Sequence, residues 1–198
     1  MELYLTDDIS ENFSPLRIAD ADKYQSLMKF GKEIIIEYIE WNYDWPKGVL
    51  KPEIMEELNR ARSIFLEALS VDRVSYRAKF YMGMISAEMN DLKDACRWFE
   101  EASEILPYDS DCQRYIGIIS GLLGDKTKSI RYLERAVRCH PLGATCWQNL
   151  ALAYRKVGRL PDARNSIEHA LKLDGKCPFN RRALVVIQED ECRTEKSE

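Results

Sequence analysis

Histidine is nearly missing from this sequence: two in 198 residues, His140 and His169. Neither has a second ligand-type residue at metal-binding spacing. His140 adjoins Cys139, but the pair sits at the end of an expected helix, before Pro141, and reads as structural. No metal site and no histidine acid–base pair is expected. The six cysteines, Cys96, Cys112, Cys139, Cys146, Cys177 and Cys192, include no Cys-x-x-Cys pair. That spread excludes a dense disulfide scaffold and leads us to expect reduced thiols in a cytoplasmic protein. No apolar run reaches about 18 residues, so no membrane span is expected. The start, Met1-Glu2-Leu3-Tyr4, lacks the basic-then-apolar order of a signal peptide. Positive charge is not in excess either: 29 Lys and Arg face 33 Asp and Glu, for a net charge of −4. This balance argues against nucleic acid as the partner. There is no P-loop, no Rossmann glycine motif and no Gly-x-Ser-x-Gly, so no cofactor and no enzymatic activity is expected. Adjacent carboxylates such as Glu56-Glu57 and Glu100-Glu101 would point in different directions on a helix, as solvated charge.

What the sequence does have is a hydrophobic content of 45%, enough for a core, and an internal repeat. Three ungapped windows follow one another at a period of 34: Tyr76–Asp109, Ser110–Gly143 and Ala144–Cys177. Gly83, Gly117 and Ala151 align, as do Asn90, Gly124 and Gly158. Ala95, Ser129 and Ala163 form a third column; Phe99, Leu133 and Ile167 a fourth; Ala102, Ala136 and Ala170 a fifth. Pro107 and Pro141 close the first two windows and Gly175 the third. Each window divides into two amphipathic helices around Asn90, Gly124 or Gly158, residues that tolerate a left-handed turn. The first pair is expected at Ser75–Met89 and Leu92–Leu106. The small residues mark close approaches: Gly83, Gly117 and Ala151 between the helices of one pair, and the three alanines between neighbouring pairs. Phe99, Leu133 and Ile167, with Ile105, Cys139 and Leu173, are expected to form the buried stripe. Cys112 and Cys146 share a column with Ala78 and read as packing.

These columns resemble the tetratricopeptide repeat, whose pattern is W-x2-L-G-x2-Y, then A-x3-F, a later Ala, and Pro. The third window carries it most fully, with Trp147, Leu150, Ala151, Tyr154, Ala163 and Ala170. The first two keep the Gly, the later Ala and the Pro, but hold Lys79 and Ser86, or Gln113 and Ser120, where the pattern has Trp and Tyr. The fold implied is all-α: a right-handed α–α superhelix (TPR solenoid) of about four helix hairpins plus a C-terminal capping helix.

An irregular first hairpin, residues 21–75, is expected before the windows. Its second helix, Pro52–Ser70, carries Ala61, Phe65 and Ala68 one period upstream of Ala95, Phe99 and Ala102. Its first helix, Ala21–Asn42, offers Leu27, Phe30, Gly31 and Ile34 at the spacing of Trp147, Leu150, Ala151 and Tyr154. The stretch between the two halves is 18 residues longer than in the regular windows. This suits a first helix prolonged through Glu37–Trp41 and a loop at Tyr43–Lys51. Residues 1–20 form an irregular extension, disordered or lying over the solenoid. After Pro178 a capping helix, Phe179–Asp190, is expected, then a frayed tail at Cys192–Glu198. Val185 stands where the windows have Gly or Ala, so no second helix is expected to pack there.

The resemblance further implies a concave groove lined by the first helix of each pair. The stripe would hold Arg77, Phe80, Met84 and Glu88, then Asp111, Arg114, Ile118 and Leu122, then Gln148, Leu152, Arg155 and Lys156. An apolar centre with a basic edge suits another protein or peptide with hydrophobic anchors. Function is therefore expected to be that of a non-enzymatic protein–protein interaction module or adaptor. A dedicated chaperone is the first alternative. An RNA-binding helical repeat, using Arg114, Arg155, Lys156 and Arg181-Arg182, is the second. Some members of the family clamp the C-terminal carboxylate of chaperones with Lys, Asn and Arg. The matching places here hold Phe80, Met84 and Tyr115, with Thr145 and Asn149 beyond, which argues against that clamp. Trp98 and Tyr132, one period apart, read as packing between repeats, with an exposed aromatic strip for dimerisation as the alternative.

Overall fold

The turn residues of the 34-residue period set the helix ends. Asn90, Gly124 and Gly158 have φ of 61°, 90° and 78°. At each, the following amide donates back across the turn: Asp91 to the Ser86 carbonyl, Asp125 to Ser120 and Arg159 to Tyr154, at 2.8–3.0 Å. These bonds satisfy carbonyls that the helix ends would otherwise leave unpaired. The next helix then starts on a side-chain cap where one is available. Asp91 Oδ1 accepts from the Asp94 amide at 3.1 Å and Asp125 Oδ1 from the Lys128 amide at 2.9 Å. Ser75 and Asp109 cap in the same way.

A computed structural model describes residues 18–38 and 50–195. Every regular element among the described residues is an α-helix. The helices fall into two units. The first holds α1 (Ile18–Tyr38), α2 (Pro52–Val71), α3 (Tyr76–Glu88) and α4 (Leu92–Ile105). The second holds α5 (Ser110–Leu122), α6 (Lys126–Cys139), α7 (Ala144–Lys156), α8 (Leu160–Leu173) and α9 (Pro178–Glu195). Within each unit successive helices pack as hairpins: α1 on α2, α3 on α4, α5 on α6 and α7 on α8, with α9 against α8 and α7.

The hairpins close where the small residues stand. A Cβ on Gly83 would lie 2.9 Å from the Phe99 ring, and one on Gly117 would lie 2.6 Å from Leu133 Cγ. The irregular first hairpin uses the same device, since a Cβ on Gly31 would meet the Phe65 ring at 2.7 Å. Phe65, Phe99, Leu133 and Ile167 are all buried, as are Ala68, Ala102, Ala136 and Ala170. The expected stripe is shorter than the sequence suggests. Ile105 and Cys139 are only partly covered and Leu173 is exposed, because these positions lie at the last residue of their helices.

The ends also differ from expectation. Helix α1 begins at Ile18 rather than Ala21; its prolongation past Tyr38, residues 43–49 of the expected loop and residues 1–17 lie outside the described residues, while Lys51 stands directly before α2. Helix α9 runs through Glu195, past the expected end at Asp190. Its C-terminal half is tied down: Arg164 Nε donates to Glu191 Oε2 at 2.9 Å and Arg155 Nε to Asp190 Oδ2 at 2.6 Å. Val185 is 52% exposed, so the face that carries Gly or Ala in the regular hairpins is left uncovered on α9.

Asp94 is a polar junction of the first unit. It accepts from Ser86 Oγ of α3 at 3.2 Å and from Trp98 Nε1 at 3.1 Å, pairs with Arg97, and lies 3.5 Å from Arg62 of α2. Partial burial pushes its carboxyl up, but the donors from Arg97, Trp98 and Ser86 together outweigh that and hold it below the ordinary carboxylate value.

Gly117→Leu should destabilise the chain by about 1–3 kcal/mol through overpacking against Leu133, read as a lower urea midpoint. Asp94 has a depressed pKa in the folded state, so its contribution is complete above the usual carboxylate range and is lost as pH falls through the depressed value. Asp94→Asn should therefore lower the melting temperature at neutral pH and flatten its decline on acidification.

Candidate protein-binding face

The residues expected to line a groove do not share one environment. In the first unit Arg77 is half-buried, while Phe80 is 7% exposed and Met84 1%. Phe80 stands one turn before Gly83, on the side that α4 covers, and its ring meets Phe99 edge-on at 5.4 Å. Tyr76 and Tyr81 flank it at 5.9 and 6.1 Å. Glu88 is buried as well. Phe80 and Met84 are thus core side chains rather than open groove surface.

In the second unit Arg114 is also inside, 4% exposed, with its guanidinium 2.6 Å from Asp111 and 4.5 Å from the centre of the Tyr115 ring. Ile118, Leu122, Gln148 and Leu152 are half-buried. Ile118 leans on the core of this unit, which Leu133, Leu150, Ile167 and Ile187 help to form. Arg155 is drawn to Asp190 of α9, and Lys156 is exposed.

The second unit therefore keeps part of the expected wall accessible. Helix α5 touches α7, and α7 touches α9. Ile118, Leu152 and Val186 occupy the same place on these three helices, one period apart, and all three are half-buried. Beside them run Arg114, Gln148 and the exposed Arg182 in the neighbouring column. Val186 and Arg182 are absent from the sequence-based site, although the 34-residue register extends to them.

Anchoring bonds keep the first helices of this unit in place. Gln113 Nε2 and Trp147 Nε1, again one period apart, donate to the carbonyls of Pro107 and Pro141 at 3.0 and 2.8 Å. Trp147 stacks on His169 at 4.6 Å. Tyr154 donates its hydroxyl to Glu134 at 2.7 Å; burial first, then that carboxylate, pushes the phenol up to about 12.

Burial pushes the Cys146 thiol up to about 11, against the pull of Arg114, so it stays protonated at neutral pH. Among the described residues no group of His, Cys, Asp and Glu is disposed to hold a metal ion, and no helix is long and apolar enough to cross a membrane. Of the cations in the RNA reading, Arg114 and Arg155 pair with carboxylates and Arg181 donates to the Gly175 carbonyl. At the places of the carboxylate clamp, Phe80, Met84 and Tyr115 are buried and Asn149 donates to the Thr145 carbonyl. Trp98 and Tyr132 are half-buried beneath cations: Lys79 and Arg97 over the first ring, Arg131 and Arg135 over the second.

Residues 144–177 match the sequence model of the tetratricopeptide repeat, the same stretch as the third window. No curated protein sequence matches the chain. Among solved structures, MamA superposes with a TM-score of 0.72 at 12% identity, over 89% of this chain and 86% of that one. YrrB, described as a TPR protein with an unusual peptide-binding site, gives 0.62 at 18% identity, over 85% and 83%. The first TPR of Spaghetti (RPAP3), bound to the HSP90 peptide SRMEEVD, gives 0.57 at 13% identity, over 59% of this chain and 93% of that one. Likeness at these identities establishes the fold: the all-α helix-hairpin array of the tetratricopeptide repeat.

The split between covered and open positions is testable. Phe80→Ala should cost about 3–5 kcal/mol, as for a buried aromatic, whereas Leu152→Ala should cost clearly less. Denaturant unfolding of the two variants checks this.

Proposed function

We propose that this chain, which has the tetratricopeptide-repeat fold and one stretch that matches the sequence model of the repeat, is a non-enzymatic adaptor that holds another protein. The bound segment lies on the α5, α7 and α9 face and presents apolar anchors. The observation that carries this reading is the apolar column Ile118, Leu152 and Val186, half-exposed on three successive first helices. Apolar side chains repeated along a face and edged by Gln148, Lys156 and Arg182 offer the core-and-rim chemistry of a protein interface.

The spacing bounds the partner. Packed helices stand about 8–10 Å apart. A peptide in the polyproline II conformation rises about 3.1 Å per residue with about three residues per turn, so its anchors on one face would recur about every third residue. A helix rises about 1.5 Å per residue, so its anchors would recur about every seventh. The buried Phe80 and Met84 and the paired Arg114 belong to the scaffold in this reading. Leu122, Gln148, Leu152 and Lys156 remain from the original stripe, joined by Val186 and Arg182.

Peptides selected from a random display library against the full chain should carry apolar residues at one of these spacings. Leu152→Glu and Val186→Glu should each reduce their binding at least about tenfold, since a charge is placed against apolar anchors, while circular dichroism stays that of the parent. Undiminished binding by both folded variants would remove this face from the account.

A further inference from the structure

The second helices of the hairpins are built on one register but do not carry one charge. Helix α4 holds Lys93 and Arg97 against Asp94, Glu100, Glu101 and Glu104; α8 holds two cations against two carboxylates. Helix α6 holds five cations, Lys126, Lys128, Arg131, Arg135 and Arg138, against Glu134 alone. It thus contributes +4 to a chain whose net charge is −4, so all other residues together carry −8. Relative to α4 the inversion falls on three columns, while Arg131 follows Arg97 without a change of sign. Lys128 stands one period after Asp94 and one before Asp162; Arg135 follows Glu101; Arg138 follows Glu104. The fold tolerates carboxylates at these places, so packing does not require the cations.

Geometry turns the composition into a stripe. Lys128, Arg131, Arg135 and Arg138 recur at intervals of three, four and three residues, on one side of α6. They span about 15 Å at 1.5 Å per residue. Arg131 and Arg138 are exposed and Arg135 is half-buried. In α4, Arg97 pairs with Asp94 three residues before it; the residue three before Arg131 is Lys128. Glu134, the one carboxylate of α6, accepts from Tyr154. Among the described residues no carboxylate forms an ion pair with Arg131, Arg135 or Arg138. Tyr132 lies between two of them, with Arg131 and Arg135 at 5.3 and 5.4 Å from its ring centre, which fixes two guanidinium groups over a rigid base.

We propose that this stripe is a second docking surface, distinct from the apolar face of the first helices, and that it binds an acidic helical segment of a partner protein. Carboxylates spaced three and four residues apart on such a helix recur at the same intervals as the guanidinium groups. Each guanidinium presents a planar fork matched to a carboxylate. A nucleic-acid strand is a poorer fit. It would run beyond the short stripe onto a chain that otherwise carries −8, where its phosphates are repelled.

The test uses the full chain and a fluorescein-labelled helical peptide with Glu at positions spaced three, four and three apart, free of large apolar residues. Its Gln counterpart is the control. The Glu peptide should bind at low salt, lose affinity steeply as salt rises, and be ignored when Glu is replaced by Gln. Arg131→Gln/Arg135→Gln/Arg138→Gln should weaken binding at least about tenfold, as the loss of several charge-assisted contacts implies, with the helical signal unchanged. Leu152→Glu should leave it intact, which separates this surface from the apolar one. Equal binding of the Glu and Gln peptides, or full affinity in the folded triple variant, would overturn the proposal. So would tighter binding of oligouridylate or of phosphatidylserine vesicles than of the Glu peptide at equal salt.

Discussion

Close approach of two helices at a residue with little or no side chain is the constraint on which the rest depends. Gly31 faces Phe65, Gly83 faces Phe99, and Gly117 faces Leu133. At each, a large side chain on the second helix fills the space that a missing Cβ on the first leaves open. That contact fixes which side of each first helix is spent inside its own hairpin. The left-handed turns at Asn90, Gly124 and Gly158 bring the helices together, and the alanine column Ala102, Ala136, Ala170 lets the second helices stay thin where they are covered. What remains of a first helix after this commitment is the surface available to anything else.

Much of this architecture was legible in the sequence, because it is carried by residues whose conformational or volume demands are extreme. Glycine or asparagine at a positive φ, glycine under an aromatic ring and proline after a helix leave few alternatives. The irregular first hairpin could be read for the same reason: Gly31, Phe65 and Ala68 keep the spacing although the segment between their helices is longer. The site was read less well. A helical stripe identifies residues on one side of a helix but not how deep that side lies. Met84 stands in the column of Ile118 and Leu152, with Phe80 one turn before it, yet Met84 and Phe80 are buried while Ile118 and Leu152 are half-exposed. Arg155 was placed on an open edge, but its ion pair with Asp190 depends on where α9 lands, and sequence spacing does not fix that.

Charge was the least legible feature. A net value of −4 conceals a helix at +4, and the sign of a single helix becomes informative only against its repeat-equivalents. The repeat supplies that comparison within one chain. Columns that are small or apolar in every hairpin report what the fold needs. Columns that change sign at exposed places, such as Glu104 and Arg138, report what the fold leaves free. By that criterion the apolar column on α5, α7 and α9 and the arginine stripe on α6 are both candidates for work beyond folding, one through apolar contact and the other through charge.

The central claim is that the hairpin-facing sides of the first helices are closed and their other sides, in the second unit, are open to a partner. Methyl-resolved NMR of isoleucine, leucine and valine during titration with a bound apolar peptide tests it most directly. The account predicts that Ile118, Leu152 and Val186 shift together while Leu133 and Ile167 stay in place. Shifts confined to methyls outside Ile118, Leu152 and Val186, with those three unmoved in the saturated complex, would contradict it.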